Sequence, residues 1–433
     1  MALAMLLSGC VHETAADRAP RSDPMGRLTP VGDSPWRQDL GDPELRGLLR
    51  QADLGALDIK IALARLERAQ AEVDLARAAA APQLAVGAAG AVGGRTFASR
   101  RAVGSPTLEV TYDFDIYGRI ARLRKAAALE RTASAQDLAE ARLLVAAETA
   151  RAYVALCAAS DSRAAAVRRQ ASAARAITLV RVRVSEGVAT ARDLDSRAAA
   201  DDAAAMLDRA ARVGVATETA RLAALTGVSQ PPAPACATGS NPTGAETVAA
   251  KVVDSRPDVQ AALARLRAAD FRRAAAVAAE RPQFQISAAL GAPDAAVSSL
   301  LGTGVLAWAL VGRIGETLLD GGAGHARIRI AASEADLADL AYRKAVLQGW
   351  TELKLTTMAV AAADENLAAA QRAGVRAQGR LDTLRIRGAQ GVADGLALAD
   401  AEEGLEQARD VLRQARLGAA EARIARALAG GGR

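Results

Sequence analysis

The chain has 433 residues, of which 51% are hydrophobic but only 3% are aromatic. Alanine supplies much of this apolar share, and small side chains of this kind suit long helices that pack closely together. A compact enzyme core relies instead on larger aromatic and branched residues. The net charge of +6 combines 55 basic and 49 acidic residues, without a basic block interleaved with aromatics. The charge pattern therefore argues against a nucleic-acid partner.

The amino terminus resembles a bacterial lipoprotein signal without its basic start. It ends in Leu7-Ser8-Gly9-Cys10, the pattern of a lipobox, in which the cysteine is acylated and becomes the first residue after cleavage. The preceding apolar stretch is shorter than the usual ~7–15 residues, and a start codon placed too late accounts for this. We interpret residues 1–9 as a truncated signal, Cys10 as the lipidation site and residues 10–40 as an extended tether. Whether Cys157 and Cys236 pair stays open.

The first half of the mature chain, residues 41–227, predicts one helix, a pair of strands and a long helical hairpin. Asp42 before a proline is a candidate helix N-cap, and the helical pattern runs to about residue 81, where Pro82 ends it. Alternation with a period of two then predicts a strand pair at about 83–115. The hairpin has a long helix at about 119–186 and a return helix at about 192–226.

The second half repeats this plan after a linker at 228–250 that is rich in proline and small polar residues. Within residues 251–430 the pattern predicts a helix that ends before Pro282, a strand pair at about 283–319 and a second hairpin. The predicted helices of this hairpin lie at about 323–388 and 396–428.

Sequence matches that occur in the same order in both halves support the duplication. Their offset stays between 200 and 205 residues, so a single unit is used twice. The matched segments are Ala62–Leu66 with Ala262–Leu266, Pro82-Gln83 with Pro282-Gln283, Ala121–Arg124 with Ala326–Arg329, and Arg181–Ala189 with Arg385–Ala393.

The last of these matches has the form R-x-R-x-x-x-G-V-A and lies between two helical patterns in each half. Its glycines, Gly187 and Gly391, come just after the long helix, where a left-handed residue ends a helix most easily. Each motif therefore predicts the turn of a helical hairpin.

The predicted strands have one apolar and one polar side, which is typical of a membrane β-barrel. A sheet in hydrocarbon must close, because open edges leave backbone groups without partners. The smallest such barrels have about eight strands, so four strands require several copies of the chain. A soluble α+β protein whose helices cover the strand edges is the alternative.

In these features the chain resembles the TolC-type outer-membrane efflux factors, specifically the lipoprotein branch that serves resistance-nodulation-division pumps. The resemblance spans nearly all of the mature chain. Besides the lipobox and both hairpin turns, it rests on Tyr112–Arg119, Arg256-Pro257-Asp258 and Leu319–Gly322. The family usually has tyrosine after the second arginine of the turn, where this chain has Val184 and Gly388.

The resemblance implies a mainly α fold with β structure, in which duplicated hairpins and four strands form a trimeric twelve-stranded barrel and a helical tunnel. It implies a lipid-anchored protein of the outer membrane that extends into the periplasm. The expected partners are two further copies of the chain, a periplasmic adaptor protein, an inner-membrane transporter and outer-membrane lipid. The expected function is a passive exit duct for small molecules in a tripartite efflux pump.

Charged and glycine residues near the two turns are the candidates for a periplasmic gate or adaptor contact. A trimer places each of them three times around one axis. The candidates are Arg183, Gly187, Arg192, Asp193, Asp195, Arg387, Gly391, Asp394 and Asp400.

The sequence shows no common catalytic or metal-binding motif. The two histidines lie in no HExxH motif, and no cysteine pair has zinc spacing. We therefore predict a protein that is not an enzyme and holds no cofactor or metal. Two other functions stay open, namely the outer-membrane duct of a type I protein secretion system and, from a different class, a periplasmic adaptor protein.

Overall fold

The computed structural model describes residues 42–93, 101–228, 251–291, 307–392 and 394–432. The predicted signal, Cys10, the tether and nearly all of the linker at 228–250 lie outside these ranges. Cys236 and parts of both predicted strand pairs also lie outside them.

The described residues form eight helices and four strands. The first repeat contributes α1 (Pro43–Gly55), α2 (Leu57–Ala78), β1 (Gln83–Gly93), β2 (Arg101–Phe114), α3 (Arg119–Ser185) and α4 (Ala191–Thr226). The second contributes α5 (Lys251–Asp254), α6 (Pro257–Ala279), β3 (Gln283–Gly291), β4 (Ala307–Gly315), α7 (Ala323–Ala389) and α8 (Gly395–Ala429).

The first helix is broken, so the prediction of one continuous helix from residue 43 to 81 is wrong. Asp42 caps α1, its side chain accepting the Glu44 N–H at 2.9 Å, but Ala56 is extended with ψ 129°. At the end of α1 the backbone of Gly55 lies against the last turn of α4. A Cβ on Gly55 would stand 1.8 Å from the carbonyl oxygen of Thr226. The break therefore coincides with a tertiary contact that helix propensity does not encode.

The duplication is visible in the lengths of the helices. Helices α3 and α7 each have 67 residues, and their first residues, Arg119 and Ala323, are 204 positions apart. Helices α4 and α8, of 36 and 35 residues, also begin 204 positions apart. The starts of corresponding helices in the two hairpins therefore share one offset.

The four strands form one antiparallel sheet in the order β1-β2-β3-β4. The central pairing joins the two repeats, with Thr107 opposite Gly291 and Phe114 opposite Phe284. On either side, β1 pairs with β2 and β4 pairs with β3. Among the described residues, the outer edges of β1 and β4 have no strand partner.

The chain divides into two compact units, each of which takes segments from both repeats. In the first unit, leucines of α1 pack on α3, α4 and α8, which contribute Tyr153, Leu222 and Ile424 to a buried cluster. The hydroxyl of Tyr153 donates to Asp42, and burial together with this hydrogen bond raises the pKa of Tyr153. Cys157, which is disulfide-bonded, packs against the same cluster.

The second unit contains the sheet and helical segments that pack through alanine. Ala133 of α3 is buried against Ala261 and Ala264 of α6. Arg272 of α6 forms an ion pair with Glu130 of α3 at 2.9 Å. Small side chains let the two helices approach closely, as the composition predicts.

Among the described helices, α3 alone is long and apolar enough to cross a membrane. However, 44% of its most apolar stretch is buried inside the protein. A packed core helix has the same property.

Candidate functional site

One face of the sheet is apolar, because strand register places even-numbered residues from all four strands on the same side. Val86 stands opposite Leu108, Leu108 opposite Leu290, and Leu290 opposite Trp308. Trp308 is 78% exposed and Val86 is 82% exposed. A continuous apolar band that no part of the described chain covers is suited to contact with lipid.

The opposite face carries the polar odd-numbered residues. Gln285 stands opposite both Asp113 and Arg313 in the register, and its side-chain amide donates to Asp113 at 3.0 Å. Thr111 and Ser287 form another polar pair on this face. The sheet therefore has the two-sided character of a barrel wall, with one side for lipid and one for water.

An aspartate stabilises the start of each long helix after the sheet. Asp115 accepts the N–H groups of Ile120 at 3.0 Å and Ala121 at 2.7 Å. In the second repeat Asp320 accepts the N–H groups of Gly324 and Gly322, and these hydrogen bonds lower the pKa of its carboxyl group. Both carboxylates satisfy N–H groups that a helix start leaves without partners.

The two hairpin turns have the same backbone geometry. Gly187 and Gly391 have φ values of +72° and +73°, which confirms the predicted left-handed position after each long helix. The N–H of Val188 donates to the Arg183 carbonyl at 2.8 Å, and the N–H of Val392 donates to that of Arg387 at 2.9 Å. Each turn is therefore a Schellman motif.

The helices that follow the turns are capped differently in the two repeats. Thr190 caps α4 in a capping box with Asp193, and the hydrogen bonds from the Thr190 N–H and hydroxyl lower the pKa of Asp193. Asp394 caps α8 by accepting the Leu396 N–H at 3.1 Å. Of these two candidate aspartates, Asp193 is therefore the one whose carboxylate is hydrogen-bonded within its own turn.

Asp394 also connects the two hairpins. Its carboxylate accepts a hydrogen bond from the Arg183 guanidinium, which with the Leu396 N–H lowers its pKa. Further from the turn, Arg197 of α4 pairs with Asp400 of α8 at 2.7 Å.

The remaining charged candidates lie near the same turns without such pairing. Within the described part of the chain, no ion pair involves Arg192, Asp195 or Arg387. The structure therefore pairs one predicted arginine with one predicted aspartate across the hairpins, Arg183 with Asp394. The predicted Asp400 pairs instead with Arg197, which was not among the candidates.

A larger cluster of ion pairs between α3 and α8 was not anticipated from the sequence. Arg168 donates from two nitrogens to both oxygens of Glu406, each at 3.1 Å. Arg175 pairs with Glu402 at 2.7 Å, and Arg169 pairs with Glu403 at 3.5 Å. In these pairs α3 supplies the arginines and α8 the carboxylates. The spacing of the arginines was the one sequence signal for these ion pairs. Arg168 and Arg175 are seven residues apart, which places them on the same face of a helix.

Glu406 is the most enclosed carboxylate of this cluster, with 9% of its side chain exposed. Burial by itself raises the pKa of Glu406, but hydrogen bonds from Arg168 and Arg409 outweigh this effect and the pKa is lowered. The cluster therefore holds Glu406 in its charged form. Within the described ranges, no group of three or more His, Cys, Asp or Glu side chains is placed to hold a metal ion.

Known proteins resemble this chain along most of its length. OprJ of Pseudomonas aeruginosa, an outer membrane protein, is 28% identical over 73% of this chain and 69% of OprJ. SepC of Pseudomonas putida, a probable efflux pump outer membrane protein, is 27% identical over 92% of this chain and 85% of SepC. The crystal structure of CusC superposes with a TM-score of 0.83 at 20% identity, covering 93% of this chain and 95% of CusC.

The sequence model of the outer membrane efflux protein family matches residues 48–228 and 248–431, one match in each repeat. The matched segments contain both hairpins and the described strands. This match excludes the alternative of a periplasmic adaptor protein. The chain therefore belongs to the outer membrane efflux protein family, and its function is efflux at the outer membrane.

Proposed function

We propose that three copies of the chain form a closed twelve-stranded barrel continued by a helical tunnel, which is a passive exit duct for small molecules. The observation that carries this proposal is the four-stranded sheet with one apolar face, one polar face and two unpaired outer edges among the described residues. In a bilayer those edges need strand partners, and further copies of the same sheet supply them.

Three copies suit a duct better than two. Two copies give eight strands, and the interior of an eight-stranded barrel is about filled by its own side chains. Twelve strands leave a wider lumen, lined by polar residues such as Thr111, Asp113 and Gln285. Because the substrate must pass through water, the larger barrel is the one that serves efflux.

Helix α7 offers a surface for association between copies. Large apolar side chains recur along it at spacings of three, seven or eight residues, as on one helix face. These exposed residues are Ile330, Leu337, Leu340, Leu347, Leu355 and Met358. Contact with another copy removes this surface from water.

The partners follow from the position of the duct. An inner-membrane transporter supplies the energy, and a periplasmic adaptor protein docks at the turns around Gly187 and Gly391. Both turns expose a valine, Val188 and Val392, each 75% exposed. Because SepC is named as an efflux pump protein, we favour small molecules over the proteins exported by a type I secretion system.

The gate of the duct lies at the turns, where Arg183–Asp394 and Arg197–Asp400 join the hairpins of one chain. Conductance of single channels in a planar bilayer tests this, with Asp394→Ala/Asp400→Ala and Arg183→Ala/Arg387→Ala compared with the wild type. We expect a larger resting conductance in at least one double variant. Asp201→Ala is the control, since no described ion pair involves Asp201. Unchanged conductance in both double variants would place the constriction elsewhere.

Lipid on Cys10 anchors the mature protein in the outer membrane. Several acyl chains attach a protein firmly, whereas one gives only marginal binding. With a complete signal restored upstream, mass spectrometry of the membrane-inserted protein is expected to find an acylated Cys10. An unmodified Cys10 in that protein contradicts the anchor but leaves the barrel proposal intact.

A further inference from the structure

The two hairpins of one chain meet along α3 and α8. Because the chain is duplicated, each of these helices has a counterpart in the other repeat. Because corresponding helices begin 204 positions apart and the turn motifs match at the same offset, α7 corresponds to α3 and α4 corresponds to α8. In a closed ring of copies the first and second hairpins alternate. The α7 helix of one copy therefore faces the α4 helix of the next copy, in the way that α3 faces α8 within a chain.

The best-defined contact at the junction within one chain is the bidentate pair of Arg168 and Glu406, at 3.1 Å for both hydrogen bonds. Bidentate arginine–carboxylate pairs are among the stronger and more specific polar contacts. At the offset of 204, Arg168 corresponds to Arg372 on α7, and Glu406 corresponds to Asp202 on α4. Both charges therefore recur, each with its sign retained.

Arg372 and Asp202 are both exposed. No hydrogen bond or ion pair of either residue occurs within the described part of the chain. Each of these two charges is thus available to pair with the opposite charge that a second copy would place beside it. The other α3–α8 pairs do not recur in this way, since Arg169, Glu402 and Glu403 correspond to Ala373, Ala198 and Ala199.

We propose that Arg372 of one copy forms an ion pair with Asp202 of the neighbouring copy, as the counterpart of Arg168–Glu406 within each chain. This inference rests on the trimer of the proposed function. The junction between copies then keeps one of the charge pairs that join α3 to α8, whereas the junction within a chain has several.

Cross-linking tests the pair directly. The double variant Arg372→Cys/Asp202→Cys is purified in detergent and treated with a short bis-maleimide, because the Cβ atoms of such an ion pair lie too far apart for a disulfide. We expect denaturing gels to show species of two and three times the chain mass. Arg372→Cys/Ala200→Cys is the matched control, since two residues turn a helix by about 200° and Ala200 lies on the side that faces α3 and α8. The unsubstituted chain controls for its native cysteines.

Light scattering on the same samples separates the possible failures. A trimer whose Arg372→Cys/Asp202→Cys variant links no better than the control overturns the pair and leaves the proposed duct intact. A protein that is not a trimer overturns the proposed duct together with the pair.

Charge reversal provides a second test that needs no cysteine. Arg372→Asp and Asp202→Arg are each expected to lower the temperature at which the trimer dissociates, and the two together are expected to restore it. A double variant that loses as much as the sum of the single variants would show that the residues do not meet.

Discussion

Arg256 donates a hydrogen bond to the backbone carbonyl of Ala429, 173 positions later in the chain and 3.1 Å away. Ala429 is the last residue of α8, where carbonyl groups lack partners within the helix. A second nitrogen of Arg256 donates to Glu352 of α7 at 2.8 Å. Only 8% of Arg256 is exposed, so this residue of the Arg256-Pro257-Asp258 motif joins two helices of the second hairpin.

Replacing Arg256 by alanine is expected to destabilise the protein. The Ala429 carbonyl loses its buried partner, and an unsatisfied buried group costs about 1–3 kcal/mol. Thermal unfolding of the purified protein followed by circular dichroism measures the change, and we expect a lower melting temperature. Arg267→Ala is the control, because Arg267 is exposed and has no hydrogen bond or ion pair within the described chain. Equal melting temperatures for the two variants would contradict a role for the Arg256 contacts.

Gly55→Ala and Gly47→Ala lie in the same helix and are expected to have opposite effects. A Cβ on Gly55 would meet the Thr226 oxygen at 1.8 Å, whereas nothing lies within 4 Å of a Cβ on Gly47. At position 47 alanine favours the helix by roughly 0.5–1 kcal/mol over glycine. At position 55 the backbones of α1 and α4 must separate, so folding is impaired. Melting temperatures and the yield of folded protein measure both effects, and a tolerated Gly55→Ala would refute the close approach.

Arginine on the two faces of β4 is expected to have different consequences for membrane insertion. Leu310 lies on the apolar face opposite Ala288, whereas Val311 lies on the other face opposite Ser287. An arginine facing lipid at mid-membrane costs about 2–4 kcal/mol, and residues facing the lumen tolerate charge. Leu310→Arg should therefore reduce the fraction of protein recovered in outer membranes, while Val311→Arg should not. If Val311→Arg reduced the recovery and Leu310→Arg did not, the face that carries Val311 would be the one that contacts lipid.

The stability of the junction between α3 and α8 is expected to depend on pH. Because the pKa of Glu406 in the folded protein lies below its ordinary value of 4.5, its stabilising contribution is fully present above pH 4.5. It decreases as pH falls through the lowered pKa. In Glu406→Gln the loss of stability that comes from protonating Glu406 should be absent. Glu365→Gln changes an exposed residue and should lose stability at low pH as the wild type does. Unfolding temperatures measured from neutral pH to below pH 4 compare the variants, and identical profiles would rule out the contribution.

Much of the architecture is local enough to be predicted from the sequence. A period of two along a strand decides which residues share a face, so the apolar and polar sides of the sheet follow from the order of residues alone. Glycine lacks a Cβ and adopts the left-handed conformation at little cost, which is why Gly187 and Gly391 identify both turns by their positions in the chain. The predicted family, inferred from short motifs and the duplicated plan, is confirmed by the match of the family model to both repeats.

The contacts between helices were decided by the tertiary structure. Alanine-rich helices present similar small side chains on every side, so the sequence leaves open which faces meet. The sequence therefore predicted charges near the turns without distinguishing Asp394, which bridges to Arg183, from Asp193, which caps its own helix. The break between α1 and α2 coincides with the close approach of Thr226 to Gly55, and the pairing of Arg168 with Glu406 joins residues 238 positions apart. Periodicity and capping act within a few residues, whereas these contacts exist only once distant helices pack together.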